Sequence, residues 1–307
     1  MTAAPPSRHG ILDRPDRTFP LVLTPTVPAI RDLARQSRRA AWDPETAIPW
    51  HMVDPSRYTA DQLAAGQLYW SRRGWSEYGA ISESPALQLR YALEQREPDL
   101  SLYWAARTQE EVRHAEVCAR FARELGRYHY SPSAEELAVQ AASLSTRDRV
   151  LDAGCSLESI LAGLVCVAET VVYDVFIQLV RAVTDPVAKQ ILRLILRDEV
   201  RHCEFGWEYL AHRMPDMSAD GVENCREAMI SMIQDVELAG YRSAWLAESP
   251  KPGEVELDAT VFVAGLGGST AEWEAPILIK SIQGVRHRAA SIGIELPIFE
   301  HFLLGKI

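Results

Sequence analysis

The tetrapeptide Glu-Val-Arg-His stands twice in this chain, at 111–114 and at 199–202, and each copy follows another acid, Glu110 and Asp198. Both copies lie in strongly helical stretches. Three residues along an α-helix advance roughly 4.5 Å and bring side chains back to nearly the same face. The Glu and the His of each copy can therefore grip one metal ion together. A chain that does this twice is constrained to a fold in which two long helices face each other.

Two such pairs on facing helices, completed by one Glu from each of two further helices, make the four-helix carboxylate site for paired iron or manganese ions. Glu169 is the first of the missing acids. It sits in an almost wholly apolar helical stretch, and its neighbours three and four residues away, Val165, Cys166, Val172 and Tyr173, include no cation. A buried carboxylate is costly unless it is protonated, paired from elsewhere or bound to metal. A distant arginine is the alternative to a metal here. Glu169 precedes Glu199 by 30 residues, and Glu77 precedes Glu111 by 34, which makes Glu77 the fourth acid. Glu83 is its alternative, placed where Ser84-Pro85 is expected to end a helix and leave the acid exposed. The expected metal ligands are thus Glu77, Glu111, His114, Glu169, Glu199 and His202. Four carboxylates cancel the charge of two divalent ions, and a donor set of oxygen and imidazole without thiolate suits Fe or Mn over structural zinc.

Metal-bound histidines commonly donate their other ring N–H to a carboxylate. Asp198 is expected to hold His114 in this way, and Glu110 to hold His202. Arg113 and Arg201 then close a ring of charge with those acids, the plainer alternative being an ordinary interhelical salt bridge. One turn from the ligands lie Arg73, Gly74, Arg107, Cys118, Cys166, Tyr173, Ile195 and Gly206. Tyr173 is the candidate catalytic residue, as a hydrogen-bond or electron donor beside the metals, although buried tyrosines mostly pack. Gly74 and Gly206 leave room either for a substrate or for a tight helix crossing. His212, His287 and His301 have no acid at ligand spacing and fall outside the site.

The 307 residues, 47% hydrophobic, can bury a sizeable core. Residues 1–57 are proline-rich and read as an arm packed on the body, with one short helix at 30–41. Helices are expected at 59–82, briefly after Ser84-Pro85, then at 98–126, 134–142, 155–183, 186–213, 219–247 and 269–291. Pro98 and Asp185-Pro186 act as helix starts. Gly265-Leu266-Gly267-Gly268 reads as a turn, and 260–263 as a short strand, the one exception to an all-α pattern. The division is an arm at 1–57, a helical bundle at 58–250 and a helical extension at 251–307 in the same domain.

A formal charge of −10 argues against a nucleic-acid surface, and leaves Arg72-Arg73 as a solvated helix face. Five cysteines without CxxC spacing suit a reducing cytoplasm. Residues 1–10 lack an apolar stretch, so no signal peptide is expected. The apolar run 160–180 contains Glu169, Asp174 and Gln178, and so reads as a buried helix with no membrane partner.

With these residues in hand, the chain resembles the ferritin-like diiron oxygenase and oxidase superfamily over roughly 58–213, in the order Glu77, Glu111-x-x-His114, Glu169, Glu199-x-x-His202. The doubled acid-Glu-x-Arg-His form is similar to the soluble acyl-carrier-protein desaturases. The shorter ligand separations, and the stretch from Trp42-Asp43-Pro44 to Ile48-Pro49-Trp50, are similar to the 4-aminobenzoate N-oxygenase group. The resemblance implies a ferritin-like four-helix bundle with additional helices and an N-terminal arm. It implies two Fe ions, with Mn or mixed Mn/Fe as alternatives. It also implies O2, a small-molecule or carrier-bound substrate and an external electron donor such as a reductase or ferredoxin, and it is compatible with a homodimer. Hydroxylation, N-oxygenation and desaturation all fit. Two departures narrow this. Ile195 stands where the N-oxygenases carry an additional histidine ligand, and Cys118 where ribonucleotide reductase radical subunits usually carry a tyrosine. A ferroxidase or iron store is the competing reading, against which stand the long arm and the long stretch after Arg213. A helical scaffold laced by salt bridges is the third.

Overall fold

Prolines and side-chain oxygens set where the helices begin. The computed structural model describes residues 27–132 and 146–307. Helix α1 (Pro28–Arg39) opens on a proline, as does α3 (Pro98–Glu124). Helix α2 (Ala60–Leu93) starts from a capping box in which Thr59 and Gln62 each bond the other's backbone N–H. A short helix, α4 (Thr146–Leu151), precedes α5 (Leu157–Ala182), which Ser156 caps. Helix α6 (Pro186–Arg213) begins where the Asp185 carboxylate accepts the N–H groups of Val187 and Ala188. Helix α7 (Ala219–Ser231) runs on as a π-helical stretch, Met232–Glu237. Helices α8 (Glu254–Val263) and α9 (Ala271–Ser291) precede a two-residue hairpin of β1 (Glu300–His301) and β2 (Gly305–Lys306).

Four of these form the bundle. Helix α2 packs along α3, α5 along α6, and α3 meets α6. Helix α1 lies over both α3 and α6, α8 packs on α2, and α9 packs on α5. Two glycines permit the closest approaches. A Cβ on Gly74 would stand 3.0 Å from the Ala119 nitrogen, and one on Gly206 would stand 2.9 Å from Cys166 Sγ. Both glycines therefore serve helix crossings and leave no substrate space. Gly206→Ala is expected to cost about 1–3 kcal/mol through overpacking, read as a lowered urea midpoint at unchanged slope.

The core holds stacked and edge-on aromatics. Tyr103 stacks on Phe205 with ring centres 4.1 Å apart, and Trp70 meets Phe121 edge-on at 4.9 Å. Helix α5 is long and apolar enough to cross a membrane, but most of it is buried among α6, α7 and α9. Within it, residues Ala162–Ala168 are π-helical, and the α-helix resumes at Glu169.

Three expected features take another form. Helix α2 does not stop at Ser84-Pro85 but continues to Leu93, because the proline ring lies on an exposed face while Ser84, Ala86, Leu87 and Tyr91 are buried on the other side. Tertiary burial there outweighs the lost N–H. Helix α7 and its π-helical stretch end at Glu237, ten residues before 247. Gly240 turns the chain there with φ +87°, so tightly that a Cβ would lie 2.7 Å from the Ala247 nitrogen. Residues 260–263 are helical, their apolar alternation reflecting one buried residue, Val261, in α8. Gly265, Gly267 and Gly268 have positive φ and form the expected turn. The helix expected at 134–142 and residues 1–26 of the arm lie outside the described residues.

Candidate metal centre

The facing of α3 and α6 brings the two Glu-x-x-His pairs together at the centre of the bundle. His114 Nδ1 lies 3.5 Å from Glu111 Oε2, 3.5 Å from Glu199 Oε1 and 3.7 Å from Glu77 Oε2. His202 Nδ1 lies 3.0 Å from Glu199 Oε2 and 3.4 Å from Glu111 Oε1. Glu111 and Glu199 thus each turn one oxygen toward each imidazole. Glu77 of α2 joins the His114 side. On the His202 side, Glu169 of α5 completes a second set with Glu199 and His202.

The donors of each set lie within 4.8 Å of one another, close enough to share one ion. Two sets that share Glu199, with Glu111 turned toward both imidazoles, would fit a pair of ions. An orphaned atom supports the fit: His114 Nδ1 is fully buried among three carboxylates and makes no aligned hydrogen bond. All donors are oxygen or imidazole, a set for Fe or Mn.

Electrostatics point the same way. Burial alone would depress the His202 imidazole, yet Glu199 and the hydrogen bond to Glu110 push it up to about 10. His114 is likewise held well above the ordinary imidazole value, against burial, by Asp198, Glu111 and Glu77. Burial pushes Glu199 up to about 7, aided by Glu169 and Glu111 and opposed by His202. Glu111 goes down, because Arg107 and the two imidazoles outweigh its burial. Protons on the imidazoles must leave before their Nδ1 atoms can bind a cation. Loading the pair at pH 7 is therefore expected to release roughly two to three protons per chain, seen as buffer-dependent heat in calorimetry. The sign follows from the raised values. Metal affinity climbs as pH rises toward about 10 and falls as pH drops, and a pH-independent affinity between pH 6 and 9 would contradict it.

Each imidazole is fixed from behind. His114 Nε2 lies 3.3 Å from Asp198 Oδ2, and His202 Nε2 lies 2.9 Å from Glu110 Oε2. Arg201 donates to both Glu110 and Asp198, and Arg113 donates to Asp198 at 3.4 Å. Hydrogen bonding to His114 and Trp42, with Arg201 alongside, holds the Asp198 carboxyl well below its ordinary range despite burial. Two partners of this lattice come from the arm. Ser37 Oγ donates to Glu110 at 2.7 Å, and Trp42 Nε1 donates to Asp198 at 2.8 Å. Neither was marked by its sequence spacing, although Trp42 falls in the Trp-Pro stretch singled out above.

Arg107 is the main departure. Glu169 has no cation on its own helix, but Arg107 of α3 reaches across and donates to Glu169 Oε1 at 2.6 Å, while lying 3.0 Å from Glu111 Oε1. The pairing alternative for Glu169 is therefore met in the same geometry that puts Glu169 beside Glu199 and His202. Glu83 lies on continuous helix, not at a helix end, and lines a cavity near Arg107. Tyr173 is not brought to the cluster. The ligand face of α5 runs through Glu169, Val172, Phe176 and Leu179, and Tyr173 falls one position round it, toward Cys203 and Glu204 of α6. Cys118 and Ile195 are buried in the core. His212 pairs with Glu97, and His301 with the Leu246 carbonyl.

A cavity of about 580 Å³ opens onto the cluster, with Glu77, Glu111, Glu169 and Glu199 in its wall. Leu164, Val172, Phe176 and Leu179 form an apolar side, and Arg73 lies over the Phe176 ring at 4.3 Å while donating to Glu77. Toward α8 and α9 the wall carries both signs of charge, with Asp258, Glu274 and Lys251, Glu237 paired to Arg242 and Glu254 paired to Arg72.

No protein-family model matches the chain, and no curated protein does. Solved structures match over most of its length. One is an R2-like ligand-binding oxidase variant with an aerobically reconstituted Mn/Fe cofactor, 13% identical, covering 86% of this chain and 93% of that one at a TM-score of 0.62. Another, with an anaerobically reconstituted Mn/Fe cofactor, is 15% identical and covers 86% and 93% at a TM-score of 0.59. A third, after photoconversion, is 14% identical and covers 87% and 86% at 0.54. The helix order, the bundle and these matches agree on the fold: the chain has a ferritin-like helical bundle similar to that of the R2-like ligand-binding oxidases.

Proposed function

We propose that this chain is a dimetal oxidase or oxygenase that uses O2 and external electrons to oxidise a small organic substrate. One observation carries the reading. The carboxylates that face the two imidazoles are also wall residues of a substrate-sized cavity, within the usual range for small-molecule sites. The R2-like ligand-binding oxidases, named as oxidases with metal cofactors, support it by shared fold.

Glu77, Glu111, His114, Glu169, Glu199 and His202 are the residues that would hold the two ions, Fe with Mn or a mixed Mn/Fe pair as alternatives. Bound metal supplies redox chemistry toward O2. The protein supplies the rest. Asp198 and Glu110 orient the imidazoles so that both Nδ1 atoms aim inward. The apolar wall of Leu164, Val172, Phe176 and Leu179 keeps water from the reacting part of a substrate. Arg73 fixes Glu77, and Arg107 fixes Glu169. Hydroxylation and desaturation both suit such a cavity, and Ile195 leaves N-oxygenation the weakest of the three. Five free cysteines fit a reducing, cytoplasmic setting.

The same carboxylate-rich cluster also suits a second reading, an iron-handling ferroxidase without an organic substrate. Metal analysis after anaerobic Fe(II) loading separates the two. An oxidase retains about two irons per chain, and storage many more. Exposure of the loaded protein to O2, followed by optical spectroscopy, then tests the chemistry. Absence of a dinuclear signal would sink the oxidase reading.

A further inference from the structure

We propose that Arg107 makes the two metal positions unequal, so that ions enter in order, first beside His114 and second beside His202. The inference rests on the dimetal reading and concerns how this chain's own cation shapes it. The two positions are alike in their imidazoles and in sharing Glu199. They differ in the arginines that face them.

On the His202 side, one nitrogen of Arg107 reaches two ligands, Glu169 Oε1 at 2.6 Å and Glu111 Oε1 at 3.0 Å. That Glu111 oxygen is the one turned toward His202, 3.4 Å from its Nδ1. The guanidinium thus claims Glu169 and one oxygen of Glu111 at the same position. Arg107 is also hard to displace. Its other terminal nitrogen donates to Ser84 Oγ at 2.8 Å, its guanidinium stands 5.6 Å from the Trp104 ring centre, and its side chain is 3% exposed.

The His114 side meets a weaker competitor. Arg73 touches Glu77 at 3.3 Å through Oε1, whereas the oxygen turned toward His114 is Oε2. No contact joins Arg73 to Glu111 or Glu199 among the described residues. The His114 position therefore gathers four donors, Glu77, Glu111, His114 and Glu199, against three at the other, Glu169, Glu199 and His202. An ion arriving beside His202 must share two oxygens with a fixed positive charge, and it feels that charge at short range in a buried site.

The test is a titration of the whole protein with Mn(II) alone, read by calorimetry and by electron paramagnetic resonance. The wild type is expected to show a mononuclear signal through the first equivalent and a coupled signal with the second, whose Kd is at least about tenfold weaker. Arg107→Met should tighten the second step by about tenfold or more and leave the first within about threefold. Arg73→Met should leave the second step unchanged. Arg107→Gln and Ser84→Ala give the same direction with smaller size, and they stand in if the methionine variant does not fold. Two equal steps in the wild type overturn the proposal, as does a second step that is unchanged or weakened in both Arg107 variants. Those results leave the dimetal reading standing. Failure of the wild type to bind any Mn(II) or Fe(II) overturns both.

Discussion

Glu199→Ala is expected to abolish dinuclear metal binding, lowering content from two ions per chain to one or none by elemental analysis. Glu199 is the residue that both candidate sets share, with one oxygen facing each imidazole. Its loss cannot be made good by a neighbour, since Glu111 is already turned to both sides and Arg107 holds part of it. The fold should survive. Burial and the nearby Glu169 and Glu111 raise this acid to about 7, while its attraction for the His202 imidazole works the other way, so the two effects on the native state oppose each other. Without metal the variant should therefore melt within a few degrees of the wild type, the lost attraction for His202 being offset by relief of a buried, crowded carboxylate. Retention of two ions, or a fall in Tm of many degrees without metal, would show that Glu199 has a different role.

Asp198→Ala should do the opposite, and is expected to destabilise the fold by about 3–5 kcal/mol in urea unfolding. Asp198 is fully buried and takes hydrogen bonds from Trp42, Arg201 and Arg113 as well as contacting His114. Truncation leaves Arg201 buried with Glu110 as its remaining acid partner, and leaves the Trp42 indole N–H without an acceptor. Its carboxyl is held well below the ordinary range, so the stability it contributes is present at neutral pH. That share is lost only as pH falls through the depressed value. The destabilisation should therefore shrink in strong acid. A loss below about 1 kcal/mol at pH 7 would mean that the lattice around the imidazoles is solvated and adds little.

Much of this was legible in the chain because it is local. Two residues of a helix three apart share a face whatever the tertiary structure, and Thr59, Pro98 and Asp185-Pro186 carry their own start signals. Pairing Asp198 with His114 and Glu110 with His202 needed only the assumption that the two copies face each other. What escaped was set by distant parts of the chain. Arg107 lies 62 residues from Glu169, and no inspection of α5 alone could bring them together. Ser37 and Trp42 meet their acids only because α1 lies across α3 and α6. Pro85 looked like a stop because its missing N–H is a local property, while the buried residues around it are not. Tyr173 was placed by a four-residue step, and the small angular drift of that step turned it toward α6.

The π-helical stretch just before Glu169 gives α5 two rotational phases. A π turn holds more residues per revolution than an α turn, so Ala162–Ala168 shifts the angular setting of the lower helix relative to the upper one. The half before the stretch is indexed to α7, and the half after it to the ligand cluster and the cavity. Winding the same seven residues as a regular α-spiral would swing everything beyond them by about 100°. Glu169 would then leave the imidazoles, and the apolar wall of the cavity would turn with it. The ligand is aimed less by its own surroundings than by this one irregular turn, a clutch between two gears of a single rod.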